Sequence, residues 1–335
     1  LIRPAENPFY EFTGLKRILS YTLILSIHIG KSVLIDLVGF SHEYGYNCVK
    51  AVEGLGDTRL VIPQIVVATI LLILYFASRR GSLEAMLNAA VGLSWYVTLF
   101  PISGIIKVGT FIADRIVVAS TISFALFAPL VLEKLYLGST RVGGGVKWVM
   151  KPLMVGTLLL YMSSKVTQRT TDWMTSVRLL ESSLVACPDS AKSNLEISKL
   201  YSGMLSQGVT GRPVDLDKAM EYLTKAETID PDYCDIHQQI AGIHFQRQEY
   251  PRFEDRLTRA ILCPFTMQGA ASTFRQYWQV VTQDPRQGVA AQKRYQKHMA
   301  RINKALEEAK KEEQEKEGGG GGGERNGMDL LGDEF

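Results

Sequence analysis

The sequence predicts an all-α protein in two parts: helices that cross a membrane several times, then an array of helix pairs in water. First, apolar segments long enough to span a bilayer recur in the first half of the chain, at 60–77, 85–106 and 116–135. Second, no such segment recurs after about residue 170, where charged residues become dense. Third, prolines in the second half recur at about the length of a helix pair.

Composition excludes several classes of protein. Hydrophobic residues make up 46% and charged residues 21% of the 335 residues, which excludes intrinsic disorder outside the tail. A net charge of +3 is too small to indicate a nucleic acid as partner. The four cysteines lack C-x-x-C spacing and neighbouring histidine pairs, so they predict no zinc site and do not indicate a disulfide framework.

Residues 1–165 are predicted to form a transmembrane region of four or five helices. The predicted helices are 18–37, 60–77, 85–106, 116–135 and 147–164. The first is interrupted by His28, Lys31 and Asp36, so it either spans the membrane or lies in its interface. We interpret His28 as a packed, hydrogen-bonded residue.

Lysine and arginine in the short connections predict the orientation of these helices. Arg79 and Arg80 follow the second predicted helix, and the connection 134–151 carries four bases, so both connections are assigned to the cytosolic side. The connections 36–59 and 103–115 mix acids with bases and are assigned to the opposite side. The part of the chain after the last predicted helix is then non-cytosolic.

Residues 170–298 show a pattern of helical pairs. Pro188, Pro231 and Pro264 each follow a predicted helix, and they are 43 and 33 positions apart. A tetratricopeptide repeat is a helix–turn–helix unit of about 34 residues with a proline after its second helix. We therefore predict a tetratricopeptide-like repeat domain, in which two to three units bury a continuous face.

Aromatic residues of this region have two interpretations: packing between helices, or a concave groove for an extended peptide. The residues concerned are Tyr201, Tyr222, Phe245 and Trp278. Residues 299–317 are predicted to form a charged helix. Residues 318–335 are predicted to be a disordered, glycine-rich acidic tail whose end, 328–335, resembles a short acidic-hydrophobic docking motif.

Three local sequences resemble the transmembrane and tetratricopeptide-repeat O-mannosyltransferases. The first, WMTSVRLLESSLVACPDSAKSNLEISK at 173–199, resembles the start of that family's repeat array. The second runs from FPISG at 100–104 to VGTFIADR at 108–115, with Asp114 in place of the family's glutamate. The third is Glu-Asn-Pro at 6–8, where the family has Asp-Asn-Pro.

The resemblance implies a multi-pass membrane enzyme of the endoplasmic reticulum. It would transfer mannose from dolichyl-phosphate-mannose to Ser or Thr of secretory-pathway proteins, with luminal repeats that bind the acceptor. The resemblance places the catalytic carboxylates in a first luminal loop, which we expect upstream of Leu1 because the chain begins without Met and without a signal peptide. A divalent metal is compatible with this chemistry, since a cation neutralises the leaving phosphate. Membrane lipids are further expected partners.

Arg115, Asp114 and Arg59 are the candidate residues for the donor phosphate. An arginine suits phosphate because its planar fork donates two parallel hydrogen bonds. Asp114 would orient Arg115, and Arg59 ends a predicted luminal connection. The alternative for each of these charges is a simple anchor of a helix end at the membrane boundary.

The alternative function is a non-catalytic, membrane-anchored repeat scaffold for luminal protein partners. Asp114 and Val118 depart from the family's pattern, and the chain shows no acidic pair that could replace the missing carboxylates. Both observations favour the scaffold. A channel or transporter is disfavoured, because few charges interrupt the predicted spans.

Overall fold

The computed structural model describes residues 6–33, 39, 41, 44–80, 83–103, 105, 112–137, 144–205, 211–283 and 288–318. Within these ranges the regular structure is helical and no strand occurs, which confirms the predicted all-α class. The chain divides into two compact units, residues 1–200 with 205–213 and residues 201–204 with 214–335. The predicted change from membrane to repeat region near residue 165 stays a prediction. The predicted tail after residue 318 lies outside the described residues.

The first unit is built on α1, which contacts α2 and α4. The helices in order are α1 (Gly14–Ser32), α2 (Val61–Arg80), α3 (Leu83–Val97), α4 (Val118–Leu137), α5 (Gly144–Asp172), α6 (Ser176–Ala186) and α7 (Ala191–Tyr201). The helix predicted over 18–37 ends at Ser32. The helix predicted over 85–106 ends at Val97, and a short 3₁₀ turn at Phe100–Ile102 follows. Pro101 explains this earlier end, because proline has no N–H to continue the helix.

All four cysteines form disulfides, so the prediction that they make no disulfide framework was wrong. Cys48 bonds to Cys187 and Cys234 bonds to Cys263. The first pair is separated by 139 positions in sequence, yet the two Cα atoms are 5.2 Å apart. Sequence spacing carries no information about such a pair, because only the packing of distant segments brings the two Cα atoms within reach.

The second unit is a succession of helices in which each packs on the next. They are α8 (Leu216–Ile229), α9 (Cys234–Gln246), α10 (Tyr250–Ile261), α11 (Met267–Thr282) and α12 (Gly288–Gly318). Asp215 caps the start of α8, since its carboxylate accepts a hydrogen bond from the backbone N–H of Lys218 at 3.0 Å. The predicted charged helix over 299–317 is the second half of α12 rather than a separate element.

Apolar helices of the first unit leave part of their surface uncovered. Among the described residues, one helical stretch, Ala85–Ile102, is long and apolar enough to cross a membrane. The apolar helical stretches Thr58–Leu72 and Arg115–Phe127 are shorter. α2 exposes large apolar side chains along its length, namely Val61, Ile65, Leu71, Leu72 and Leu74. The predicted arrangement of four or five spans stays a prediction.

Candidate functional site

Three short 3₁₀ turns of the first unit, Pro8–Glu11, Thr58–Leu60 and Asp114–Val117, all contact α1. Side chains in or next to these turns are buried in one apolar cluster with residues of α1: Phe9, Leu60 and Ile112. The structure therefore brings the turns that hold the predicted donor-phosphate residues onto the same helix.

Arg59 is held by its own loop. Its Nε donates to a carboxylate oxygen of Asp57 at 2.9 Å, while Nη1 and Nη2 donate to the backbone carbonyls of Lys50 and Ala51 at 2.7 and 3.0 Å. The hydrogen bond from the Arg59 side chain holds the pKa of the Asp57 carboxyl below its ordinary value. Arg59 therefore stabilises its own loop. A phosphate bound at Arg59 would have to share the guanidinium with Asp57.

The turn with Asp114 and Arg115 leads directly into α4. Ala113 before the turn is fully buried, whereas the Arg115 side chain is exposed. The Arg115 side chain therefore lies at the surface, just before the start of α4. Residues 106–111 of the resembling sequence lie outside the described residues.

The Glu-Asn-Pro sequence at 6–8 is anchored on both sides. Asn7 is fully buried; its side-chain oxygen accepts from the backbone N–H of Phe9 at 3.1 Å, and its amide donates to the Tyr21 hydroxyl at 3.4 Å. The Glu6 carboxylate lies 3.4 Å from Nζ of Lys192. Lys192 belongs to the Cys-Pro-Asp-Ser-Ala-Lys turn, so two of the three resembling sequences are in contact.

A loop that sequence reasoning missed closes over that turn. Cys48 is bonded to Cys187, the amide of Asn47 donates to the Asp189 carbonyl at 3.0 Å, and the backbone N–H of Ala191 donates to the Tyr46 carbonyl. We name residues 44–48 the clasp loop. Gly45 in this loop has φ +55° and approaches Lys192 so closely that a Cβ there would meet the Lys192 Cβ at 2.5 Å. Both the positive φ and the close approach to Lys192 require glycine at this position.

Two basic side chains of α1 are also buried. His28 is fully buried with Nδ1 2.9 Å from the Ile24 carbonyl, which confirms the prediction of a packed, hydrogen-bonded residue. Lys31 is 1% exposed, and its ammonium donates to the Gly39 carbonyl and to the Tyr44 hydroxyl. The clasp loop is thus joined to α1 through Tyr44.

The second unit has an aromatic groove of about 520 Å³ between α9, α10, α11 and α12. Its aromatic and charged walls are Phe245, Tyr250, Phe253, Tyr277 and Arg294. Phe245 is 49% exposed, whereas Trp278 is 2% exposed and packs against Phe274. Trp278 is therefore core, whereas Phe245 lines a groove, and the binding of an extended peptide there stays a prediction.

A buried carboxylate supports this groove from below. Glu254 of α10 is 1% exposed and accepts from the Tyr277 hydroxyl at 2.8 Å. Arg294 and His298 of α12 lie 3.3 and 3.5 Å from the same carboxylate. Burial raises the pKa of Glu254, but the hydrogen bonds from His298 and Tyr277 and the charge of Arg294 outweigh it and lower the pKa below the ordinary 4.5. Burial and the hydrogen bond to Glu254 raise the pKa of Tyr277.

The stability of the second unit is expected to fall in acid through Glu254. A carboxyl with a lowered folded-state pKa contributes stability that is present above its unfolded value and is lost as the pH falls through the folded value. In urea unfolding of the whole chain between about pH 5 and pH 3, Glu254→Gln should weaken the pH dependence, while Glu307→Gln at an exposed site of α12 should leave it unchanged. Equal slopes for the wild type and Glu254→Gln would contradict this assignment.

Within the described ranges, no three His, Cys, Asp or Glu side chains are grouped as metal ligands would be. The possible part of a divalent cation stays a prediction, and we assign no chemical step to one.

Sequence similarity to a known protein covers about two thirds of the chain. No protein-family model matches it, and no solved structure matches it. Over 218 residues, which cover 65% of this chain, the sequence is 24% identical to a protein O-mannosyl-transferase of Caenorhabditis elegans. The matched part is 28% of the length of that curated relative. The chain thus has a distant similarity to a named mannosyltransferase, and it corresponds to a minor part of that protein's length.

Proposed function

We propose that this chain provides later membrane helices and the acceptor-binding repeats of a membrane glycosyltransferase of the endoplasmic reticulum. The enzyme transfers mannose from dolichyl-phosphate-mannose to Ser or Thr of secretory-pathway proteins. The observation that carries the proposal is the similarity over 218 residues to a protein O-mannosyl-transferase. The contact of Glu6 with Lys192 supports it, since two sequences that resemble the family meet in the folded chain.

The disulfides support a luminal location. Disulfides persist in oxidising compartments such as the lumen of the endoplasmic reticulum and are rare in the cytosol. Cys48 lies in a connection predicted to be luminal, and Cys187 lies at the start of the predicted luminal repeats. A single bond between them requires that both lie on the same side of the membrane. The apolar stretch Ala85–Ile102 and the exposed apolar surface of α2 support the membrane setting.

The two units have separate tasks in this proposal. In the transfer, the acceptor oxygen forms a bond to the sugar C1 as the bond from C1 to the phosphate oxygen breaks. The acceptor hydroxyl proton goes to a base, and the leaving group is dolichyl phosphate. Arg115, at an exposed helix start, binds the donor phosphate through its forked donors, with Asp114 beside it. The aromatic groove between the tetratricopeptide-like helices holds an extended acceptor segment against Phe245 and Tyr250.

The test is mannose transfer by membranes that contain the protein, measured as a function of the dolichyl-phosphate-mannose concentration. A hydrogen bond to a charged group contributes about 1.5–3 kcal/mol, so Arg115→Ala should lower transfer at limiting donor about 10- to 100-fold. Arg115→Lys keeps the positive charge but not the forked donors, so its transfer rate should lie between those of the wild type and Arg115→Ala. Arg79→Ala, at a helix end on the predicted cytosolic side, serves as the matched control. Unchanged transfer and donor KM in Arg115→Ala would remove the phosphate role.

The second candidate is a non-catalytic repeat scaffold anchored in the membrane. The observation that favours it is Arg59, whose donors are engaged by Asp57 and by backbone carbonyls of its own loop. In the same experiment, the scaffold predicts that the wild type shows no transfer above control membranes. Binding of luminal proteins through the aromatic groove would nevertheless persist.

A further inference from the structure

The first unit contains a cavity of about 560 Å³ between the end of α5 and α6. Its charged lining residues are Lys165, Arg169 and Asp172 of α5 with Arg178 and Glu181 of α6. Gly39 closes one wall, and a Cβ there would meet the Ala186 Cβ at 2.8 Å. The cavity is therefore a packed feature of the unit, with a polar interior and a wall that admits only glycine.

One face of α5 extends to this cavity, and along it the side chains change from apolar to cationic. Leu158, Tyr161, Lys165 and Arg169 are three or four positions apart, which places them along one face of the helix. Leu158 and Tyr161 are both 41% exposed, and Nζ of Lys165 lies 6.0 Å from the centre of the Tyr161 ring. An exposed apolar stripe thus ends where the cationic lining of the cavity begins.

Arginines balance the two carboxylates of the cavity. Arg169 donates to the Asp172 carboxylate at 2.9 Å, and Glu181 lies 2.6 Å from Nη2 of Arg212. Both acids therefore have a close positive partner, and the described lining keeps an excess of positive charge. The lining holds three cationic side chains, Lys165, Arg169 and Arg178, against these two carboxylates.

Arg169 is already fixed in place. Its Nη1 also donates to the Ser182 hydroxyl at 3.0 Å, which ties α5 to α6. The side chain of Arg178, by contrast, is exposed at the mouth of the cavity. A ligand that enters would meet one oriented guanidinium inside the cavity and the exposed guanidinium of Arg178 at its mouth.

We propose that this cavity binds the phosphate of a membrane lipid, with the lipid's hydrocarbon chain along the exposed apolar stripe of α5. Phosphate oxygens accept strong, charge-assisted hydrogen bonds from Arg and Lys. A soluble phosphate would use the cations alone, whereas a lipid also covers Leu158 and Tyr161, and this continuity selects the lipid. The inference rests on the membrane setting of the proposed function but not on the transferase activity.

The test uses the full chain in a non-ionic detergent and native mass spectrometry with two probes of equal chain length, phosphatidic acid and phosphatidylcholine. The wild type should bind phosphatidic acid about tenfold more tightly, because choline's cation opposes the positive lining. Arg178→Ala and Lys165→Ala should each reduce phosphatidic acid affinity about fivefold. Arg252→Ala, which removes the same side chain at an exposed site of the second unit, should leave it unchanged. Circular dichroism verifies that each variant is folded.

Equal binding of the two lipids by the wild type would overturn the proposal, as would unchanged phosphatidic acid binding in both cavity variants. Competition with inorganic phosphate distinguishes a lipid phosphate from a soluble one. If inorganic phosphate binds as tightly as phosphatidic acid and displaces it, the site takes a soluble phosphate and the lipid assignment is wrong. If the wild type binds phosphatidic acid but shows no mannosyl transfer, the proposed function is wrong and this lipid site remains supported.

Discussion

Replacing both Cys48 and Cys187 with Ser is expected to lower the free energy of unfolding of the first unit by about 5 kcal/mol. The disulfide closes a segment of 139 positions, and a cross-link over so long a segment removes much of the conformational freedom of the unfolded chain. The double replacement leaves no unpaired thiol. Denaturant unfolding of the purified chain, followed by limited proteolysis of the clasp loop, measures the loss.

The matched control is the pair Cys234 and Cys263. This disulfide closes 29 positions in the second unit, so its double replacement should cost about 3.5 kcal/mol there and leave the first unit unchanged. Two outcomes would contradict the assignment: unaltered unfolding of the first unit without Cys48 and Cys187, or equal protease resistance of the clasp loop with and without its disulfide.

Phe274→Ala is expected to destabilise the second unit by about 3–5 kcal/mol. Phe274 is fully buried, and its ring centre lies 5.8 Å from that of Trp278 and 5.9 Å from that of Tyr295. Truncation would leave a cavity between α11 and α12 that these large rings fill poorly. Urea unfolding monitored by tryptophan fluorescence measures the change.

Val280 of the same helix provides the comparison. It is 72% exposed, so Val280→Ala should change the unfolding free energy by no more than about 0.5 kcal/mol. A loss below about 1 kcal/mol for Phe274→Ala would mean that the aromatic cluster does not stabilise the second unit as its burial indicates.

The clasp loop and Glu6 both contact the turn at 187–192, which joins two of the three resembling sequences. The clasp loop is bonded to this turn and reaches the buried Lys31 of α1 through Tyr44. Glu6 contacts the same turn through Lys192. Reduction of the Cys48–Cys187 disulfide is therefore expected to loosen the clasp loop and the turn at 187–192 together, and with that turn its contact with Glu6.

Local patterns in the sequence were sufficient for the helical class and for the helix ends that a proline follows closely. Apolar segments predicted helices in the first half of the chain, and Pro231 and Pro264 lie in the turns after α8 and α10. These features are readable because a helix is stabilised by contacts between residues three or four positions apart. Pro101 shows the limit: it ends a helix whose apolar composition continues beyond it.

The tertiary structure alone decided which distant residues meet. The Cys48–Cys187 bond and the clasp loop around Gly45 join segments far apart in sequence, and no local pattern marks either of them. The same holds for the engagement of Arg59 by backbone carbonyls and for the three side chains around the Glu254 carboxylate. The physical reason is common to all: burial and hydrogen bonding of a polar side chain depend on which segments pack around it, and that packing is a property of the whole chain. The sequence by itself determined the helical character of this protein, because helices depend on neighbours three or four positions apart, and tertiary packing decided which polar side chains are buried and what they contact.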